Sequence, residues 1–354
     1  MKHLHMKKVS SISMPMRWIG PMKITGNVIQ DKVKVPLATY EYPLWHSVKR
    51  GAHISMLCPD GIRATLIDER MTRSIFFETE NAEMALTALQ EITLKKAEIA
   101  RVIEQTSQFT RFLQLHSQIA GNLLFLRLEF ATGDASGHNM VTKAADAVMD
   151  WILSQWSYLH YGSVSGNICS DKKATAINGI MGRGKNFVAE ITINRAICQK
   201  YLRTSPEKII LLNTQKNLIG TFLAGGIRSA NAHFANMLLA YYLATGQDAA
   251  NIVEGSQGLT YAKLHDDSLY FSCTIPNLIL GCVGNGKNIP AIKNNLTALG
   301  CIEERKTGDN ARRLAAICAA TVLCGELSLL AAQTNPGELM EAHLRLERMH
   351  LNGE

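Results

Sequence analysis

The chain has 354 residues, 47% of them hydrophobic and 19% charged, enough for a large core most simply divided between two domains. No stretch offers the roughly 18 uninterrupted apolar residues of a membrane helix, because Gly325 and Glu326 break the best candidate, 315–332, so no membrane anchor is expected. The net charge of +7 would by itself favour nucleic acid, but basic residues are dispersed, aromatics are only 6%, and a cleft for a polyanionic small molecule explains the excess equally well.

The first residues, Met1-Lys2-His3-Leu4-His5-Met6-Lys7-Lys8, lead into Ser10, Ser11 and Ser13 instead of an apolar signal core, which reads as a short, loosely ordered arm. From Val35 a short extended stretch leads to a helix over 43–50, opened by Pro43 and stopped by Gly51. Asn81 is the N-cap candidate of a helix over 82–104, where Ala, Leu, Glu and Lys recur with a helical apolar repeat. Leu126, Leu128 and Phe130 alternate with Arg127 and Glu129 as in a half-buried strand, a turn follows over 133–139, and 141–156 is again helical. Strand and helix thus alternate over 74–163 like a small inserted α/β sandwich.

Further on, 187–193 reads as a strand, 195–202 as an amphipathic helix and 208–212 as a buried strand. The run 231–245 is mostly Ala, Leu, Met, Phe and Tyr, a helix buried on most sides, with Gly246 as its stop or as a tight packing point. A second apolar helix fits 310–333, and Pro336-Gly337 separates it from a polar amphipathic segment, 338–351, suited to a mobile flap. Eight cysteines form no Cys-x-x-Cys pair and eleven histidines no metal-ligand spacing, so reduced thiols in a cytoplasm and no metal site are expected.

The most informative stretch is Val164-Ser165-Gly166-Asn167-Ile168-Cys169-Ser170-Asp171-Lys172-Lys173, with Gly182-Arg183-Gly184-Lys185 shortly after it. Glycine, asparagine and serine there supply turn conformations, so two ammonium groups and a carboxylate are aimed by loop backbone, an arrangement suited to an anionic, carbonyl-bearing substrate. Taken alone, adjacent lysines more often mark a solvated turn. Continued through Ala176-Ile177-Asn178, however, the run resembles the cis-loop of class I 3-hydroxy-3-methylglutaryl-CoA (HMG-CoA) reductases. The likeness extends over 35–348 in matching order, through Pro36-Leu37-Ala38-Thr39-Tyr40-Glu41, Met71-Thr72-Arg73, Gly133-Asp134-Ala135, 213–220 around Lys216, Asn231-Ala232-His233, Gly246-Gln247-Asp248-Ala249-Ala250 and Gly325-Glu326-Leu327-Ser328.

The resemblance implies reduction of a thioester to mevalonate and free CoA, with two hydrides from a nicotinamide cofactor. Lys172 matches the family's catalytic lysine, Glu41 its catalytic glutamate, Asp248 the aspartate supporting both, and His343 the histidine that protonates departing CoA thiolate. By the same matching, Arg73, Ser165, Asp171, Lys173, Lys216, His233 and Asn236 surround the hydroxymethylglutaryl group, while Ser47 and Arg50 approach CoA. Ser107, Asp134, Gly137, Asn139, Met140, Gly284, Gly286 and Arg348 match cofactor-binding positions.

Several positions depart from the family. Ser136 and His138 replace residues that are usually methionine, and Gln108 and Ala131 stand where arginines are frequent, which weakens discrimination for NADPH over NADH unless Arg111 or another cation substitutes. NADPH is expected by family majority, with NADH as the alternative. Tyr42-Pro43, Lys49 and Ala342 alter the CoA side, and Met349 replaces a regulatory serine of higher-eukaryote relatives.

The implied fold is α+β: a large domain around a buried central helix (1–73 and 176–354), a small ferredoxin-like cofactor domain at 74–163, and the cis-loop at 164–175. A soluble microbial, cytoplasmic enzyme is expected, a homodimer or dimer of dimers with its active site at the interface. The rival readings are an NADH-preferring or mevalonate-oxidising variant, a degenerate CoA-binding scaffold without turnover, and, most remote, a nucleic-acid module.

Overall fold

Strand β1 (Met16–Gly26) pairs antiparallel with β2 (Asp31–Ala38) in the computed structural model, which describes residues 12–341 and Leu344. Helix α1 (Pro43–Leu57) then crosses over, and β3 (Ile62–Glu78) returns parallel to β1. The sheet continues through β7 (Gly184–Asn194), β9 (Ser268–Leu278) and β8 (Leu259–His265) in the order β2-β1-β3-β7-β9-β8. One parallel pair among antiparallel ones makes it a mixed sheet.

The 17-residue β3 serves two cores. Its first part, Arg63 to Arg70, pairs with β7, and its second, Met71 to Glu78, with β5 (Leu123–Ala131), which in turn pairs with β4 (Arg111–Ala120). The short β6 (His160–Ser163) lies on the other side of that second part. Helices α2 (Ala82–Leu94), α3 (Lys96–Thr106) and α4 (His138–Gln155) bury Ile92, Ile103 and Val148 against Phe77, Leu126 and Phe130 in a separate cluster.

The larger cluster surrounds the helix Asp309–Gln333, whose residues from Leu314 to Ser328 are all buried. It is long and apolar enough to span a bilayer, and its composition is accounted for by its place inside the protein. Phe234–Ala244 and α1 pack on it.

The structure corrects several sequence expectations. Gly51 does not stop α1, which runs on to Leu57; a Cβ there would collide with the backbone of Cys324, so this glycine lets two helices touch. The helix over 82–104 is two, broken at Lys95, although Asn81 does cap the first through Met84 N–H at 2.9 Å. β5 is buried on both faces, because Arg127 and Glu129 pair with each other inside the fold. The segment expected as a strand over 208–212 belongs to a helix, Pro206–Leu212, started by Ser205, whose hydroxyl accepts the Lys208 N–H, and by Pro206 in the first turn. The helix over 195–202 ends in a wider π-turn, Cys198–Leu202. Gly246 ends its helix with φ +64. Residues 338–341 are helical, and the rest of the expected flap, His343 and Arg348 included, lies outside the described residues apart from Leu344.

Candidate functional site

The loop joining β6 to α5 (Ala176–Met181) holds Asn167, Ser170 and Lys172 at φ of +60, +47 and +56. Left-handed backbone at non-glycine residues costs about 1–3 kcal/mol each, so the surroundings must hold it. Asn178, fully buried, donates from Nδ2 to Ser170 O at 2.8 Å and to Lys173 O at 3.3 Å. Glu254, fully buried, accepts the Lys172 backbone N–H at 3.1 Å, Asn251 Nδ2 at 2.9 Å and an Arg183 guanidinium nitrogen at 2.8 Å. Burial pushes the Glu254 carboxyl up while Arg183 opposes that. Arg183 also reaches Asp171 at 3.0 Å, and Arg73 lies 3.9 Å from the other oxygen of the same carboxylate.

Lys172 projects from this frame, its ammonium 2.7 Å from Asp248 and both side chains about two-fifths exposed. The hydrogen bond to Asp248 raises the lysine above its ordinary value despite some burial. Burial raises Asp248 in turn, but the hydrogen bond to Lys172, the Ala250 N–H and the nearby positive charge together outweigh it and leave the carboxyl below its ordinary value. The pair is therefore ionised across the neutral range, a fixed cation beside open space. Ser165 is exposed, and Lys173 donates to Asp171 O at 3.1 Å.

Glu41 belongs elsewhere. It lines a cleft of about 590 Å³ with Ser47, Arg50, His233 and Asn236. No hydrogen bond or ion pair among the described residues joins Glu41 to Lys172 or Asp248, and neither of these lines the cleft that Glu41 lines. The Gly325 carbonyl can only accept, so His233 Nε2, 3.0 Å away, carries the proton and leaves Nδ1 to accept from Asn236 at 3.4 Å. The buried Glu326 takes the N–H groups of Ala232 and His233, and burial pushes its carboxyl up. Lys216 is held below its ordinary value by burial, with Glu326 opposing. Arg50 bonds Ser328 Oγ at 2.9 Å and pairs with Glu338 at 2.8 Å, while Ser47 Oγ lies 3.5 Å from Gly325 O.

Near the N-terminus of α4, an isolated bridge between Ala135 and Val283 brings the Asp134 and Gly284 loops together. Gly137, Gly284 and Gly286 have φ of +93, +107 and +82, and a Cβ at Gly284 would meet nothing. Asn139 and Met140 lie in the first turn of α4, whose leading N–H groups have no intrahelical partner and suit an anionic ligand. The Asp134 carboxylate instead accepts Gly308 N–H and Ala311 N–H, both at 2.9 Å, capping the long helix. Ser107 accepts the Phe109 N–H, and Arg111, half exposed, lies 3.9 Å from Glu104.

Glu254, Arg183 and Glu326 carry no motif that assigns them a role from sequence. The one signal for Glu254 is physical: an acid among the apolar residues of 252–255 must find a cation once it is buried.

A family model described as hydroxymethylglutaryl-coenzyme A reductase matches residues 6–348. The 3-hydroxy-3-methylglutaryl-coenzyme A reductase of Aeropyrum pernix is 39% identical over 342 residues, covering 96% of this chain and 80% of the relative. That of Pyrococcus horikoshii is 40% identical over 354 residues, covering 96% and 82%. A class II enzyme from Streptococcus pneumoniae, solved bound to NADPH in open conformations, shares the fold with a TM-score of 0.74 at 20% identity, over 92% of this chain and 86% of that one.

Proposed function

This chain belongs to the HMG-CoA reductase family, and from that premise we propose that it reduces HMG-CoA to mevalonate and CoA with NADPH. The observation carrying the reading is the Lys172 ammonium, fixed 2.7 Å from Asp248 on a braced loop and open to a substrate.

The dinucleotide, when bound, supplies two hydrides, and the glycines at 137, 284 and 286 with the free N–H groups of α4 fit its close approach. Lys172 stabilises the oxyanion that forms when the thioester carbon becomes tetrahedral, and it needs no reorganisation to do so. Collapse of that hemithioacetal breaks the carbon–sulfur bond, and His343 protonates the thiolate. Glu41 donates the proton at the aldehyde stage, while Arg73, Ser165, Asp171, Lys173, Lys216, His233 and Asn236 hold the acyl group and Ser47 and Arg50 the CoA side.

Two copies complete one site in this reading. Its support is that Lys172 and Asp248 do not line the cleft holding Glu41, together with an exposed apolar run beside Lys216: Leu218, Ile219, Phe222 and Leu223, of which Phe222 is 82% exposed. A homodimer or dimer of dimers buries it. The second core is the ferredoxin-like cofactor domain, 74–163, and the enzyme is of class I, microbial type; eight free, buried cysteines accord with a cytoplasmic setting.

Following cofactor absorbance with HMG-CoA, with NADPH and NADH supplied in separate reactions, tests the reading. Oxidation of NADPH is expected, with a reduced preference over NADH where Gln108 and Ala131 replace arginines, and no oxidation of either removes the proposal.

A further inference from the structure

His138 opens α4 directly after Gly137, and its side chain faces the cis-loop. Its Nε2 lies 3.9 Å from Asp171 Oδ1 and is buried without a hydrogen-bond partner, while that oxygen already has an Arg183 guanidinium nitrogen at 3.0 Å. A buried imidazole nitrogen left unpaired is costly, and a shift of about 1 Å brings it to hydrogen-bond distance of that oxygen, which has lone pairs enough to accept from Arg183 and His138 together.

Asp171 is the point where several elements converge. Arg183, at the head of β7, reaches Oδ1 at 3.0 Å, and Arg73 on β3 lies 3.9 Å from Oδ2. The next residue is Lys172, whose left-handed backbone is anchored to Glu254. Moving the Asp171 carboxylate therefore moves the base of the lysine.

We propose that His138 is a positioning residue: its imidazole joins Asp171 when the cofactor segment settles against the cis-loop, and so sets the aim of Lys172. This rests on the reductase reading above. The groups facing His138 are Arg183, Asp171, Asp248 and Lys172. Burial and the Arg183 charge hold the imidazole below its ordinary value, against the pull of Asp171 and Asp248. At neutral pH the ring is uncharged and donates from Nε2. In acid it gains a positive charge that Arg183 and Lys172 repel and Asp171 and Asp248 attract, so the balance of forces on the Asp171 carboxylate, and with it the aim of Lys172, changes.

The test compares His138→Met, which keeps bulk without a donor, with His138→Gln, which keeps an N–H near the Nε2 position. With HMG-CoA and NADPH, the Met variant is expected to lose about tenfold in kcat at neutral pH, the rate equivalent of one charge-assisted hydrogen bond, while the Gln variant recovers most of it. Both are expected to lose the acid limb that His138 contributes to the wild-type kcat/KM profile. Unchanged profiles in both variants overturn the proposal. A second measurement does not depend on turnover: NMR titration of the His138 ring in the wild type and in Asp171→Asn. Removal of the carboxylate is expected to lower the ring's pKa further, and an unmoved titration overturns the contact. Absence of wild-type turnover would instead count against the reductase reading alone.

Discussion

The two halves of the site are built in opposite ways. Around Lys172 the loop is strained, and it is clamped by Glu254, Arg183 and Asn178, all nearly or fully buried. Around Glu41 a broad cleft is lined by half-exposed side chains, and the glutamate itself is exposed. In the proposed reading the rigid half holds the charge that stabilises an oxyanion, where misplacement costs rate, and the open half takes the long, flexible substrate and is completed by closure or by a second copy.

The sharpest way to break the contrast is Lys172→Ala. The side chain is part-exposed, so folding by circular dichroism should be unchanged while kcat falls about a thousandfold, as on loss of an oxyanion partner. An unchanged rate would remove the mechanism. If two copies share a site, mixing inactive Lys172→Ala and Glu41→Ala chains should restore roughly a quarter of wild-type activity through mixed dimers, and no restoration would show that each copy works alone.

Glu254→Gln tests the rigid half further. It leaves the buried Arg183 with Asp171 as its remaining charged partner and should cost about 1–3 kcal/mol in denaturant unfolding, with a loss of kcat exceeding any change in KM. On the open side, Gly51→Ala drives α1 away from the helix carrying Gly325 and Ser328, with an expected cost of about 1–3 kcal/mol and a higher KM for HMG-CoA at preserved kcat.

The smallest effect is electrostatic. Asp248 is depressed in the folded state, so its contribution to stability is present above its unfolded pKa and lost as pH falls through the folded one. Lys172 is raised, so its share is present below the unfolded lysine pKa and lost as pH rises through the folded one. Both are part-exposed, and Asp248→Asn should flatten these limbs of a melting-temperature profile by only a small amount.

Much of this was legible in the residues. The two apolar helices announce themselves by length and composition, and the lysine and aspartate matched far apart in sequence do meet in space. The failures have local causes. Four apolar residues after Lys208, at 209–212, fit strand or helix alike, and Ser205-Pro206-Glu207, a helix start, was the deciding signal. Gly51 reads as a terminator until its neighbour is known, because close contact between helices is a tertiary fact. Arg127 and Glu129 read as a solvated face because alternation says nothing of a charge meeting its partner inside.

Since β3 runs without interruption from one hydrophobic core into the other, the segment bearing α4 enters on a stiff, hydrogen-bonded ribbon, with no slack coil at that junction. Swinging it like a door would tear ladder bonds, whereas twisting the ribbon shifts its far end only slightly. Travel on the scale separating His138 from Asp171 is what such a torsion spring allows.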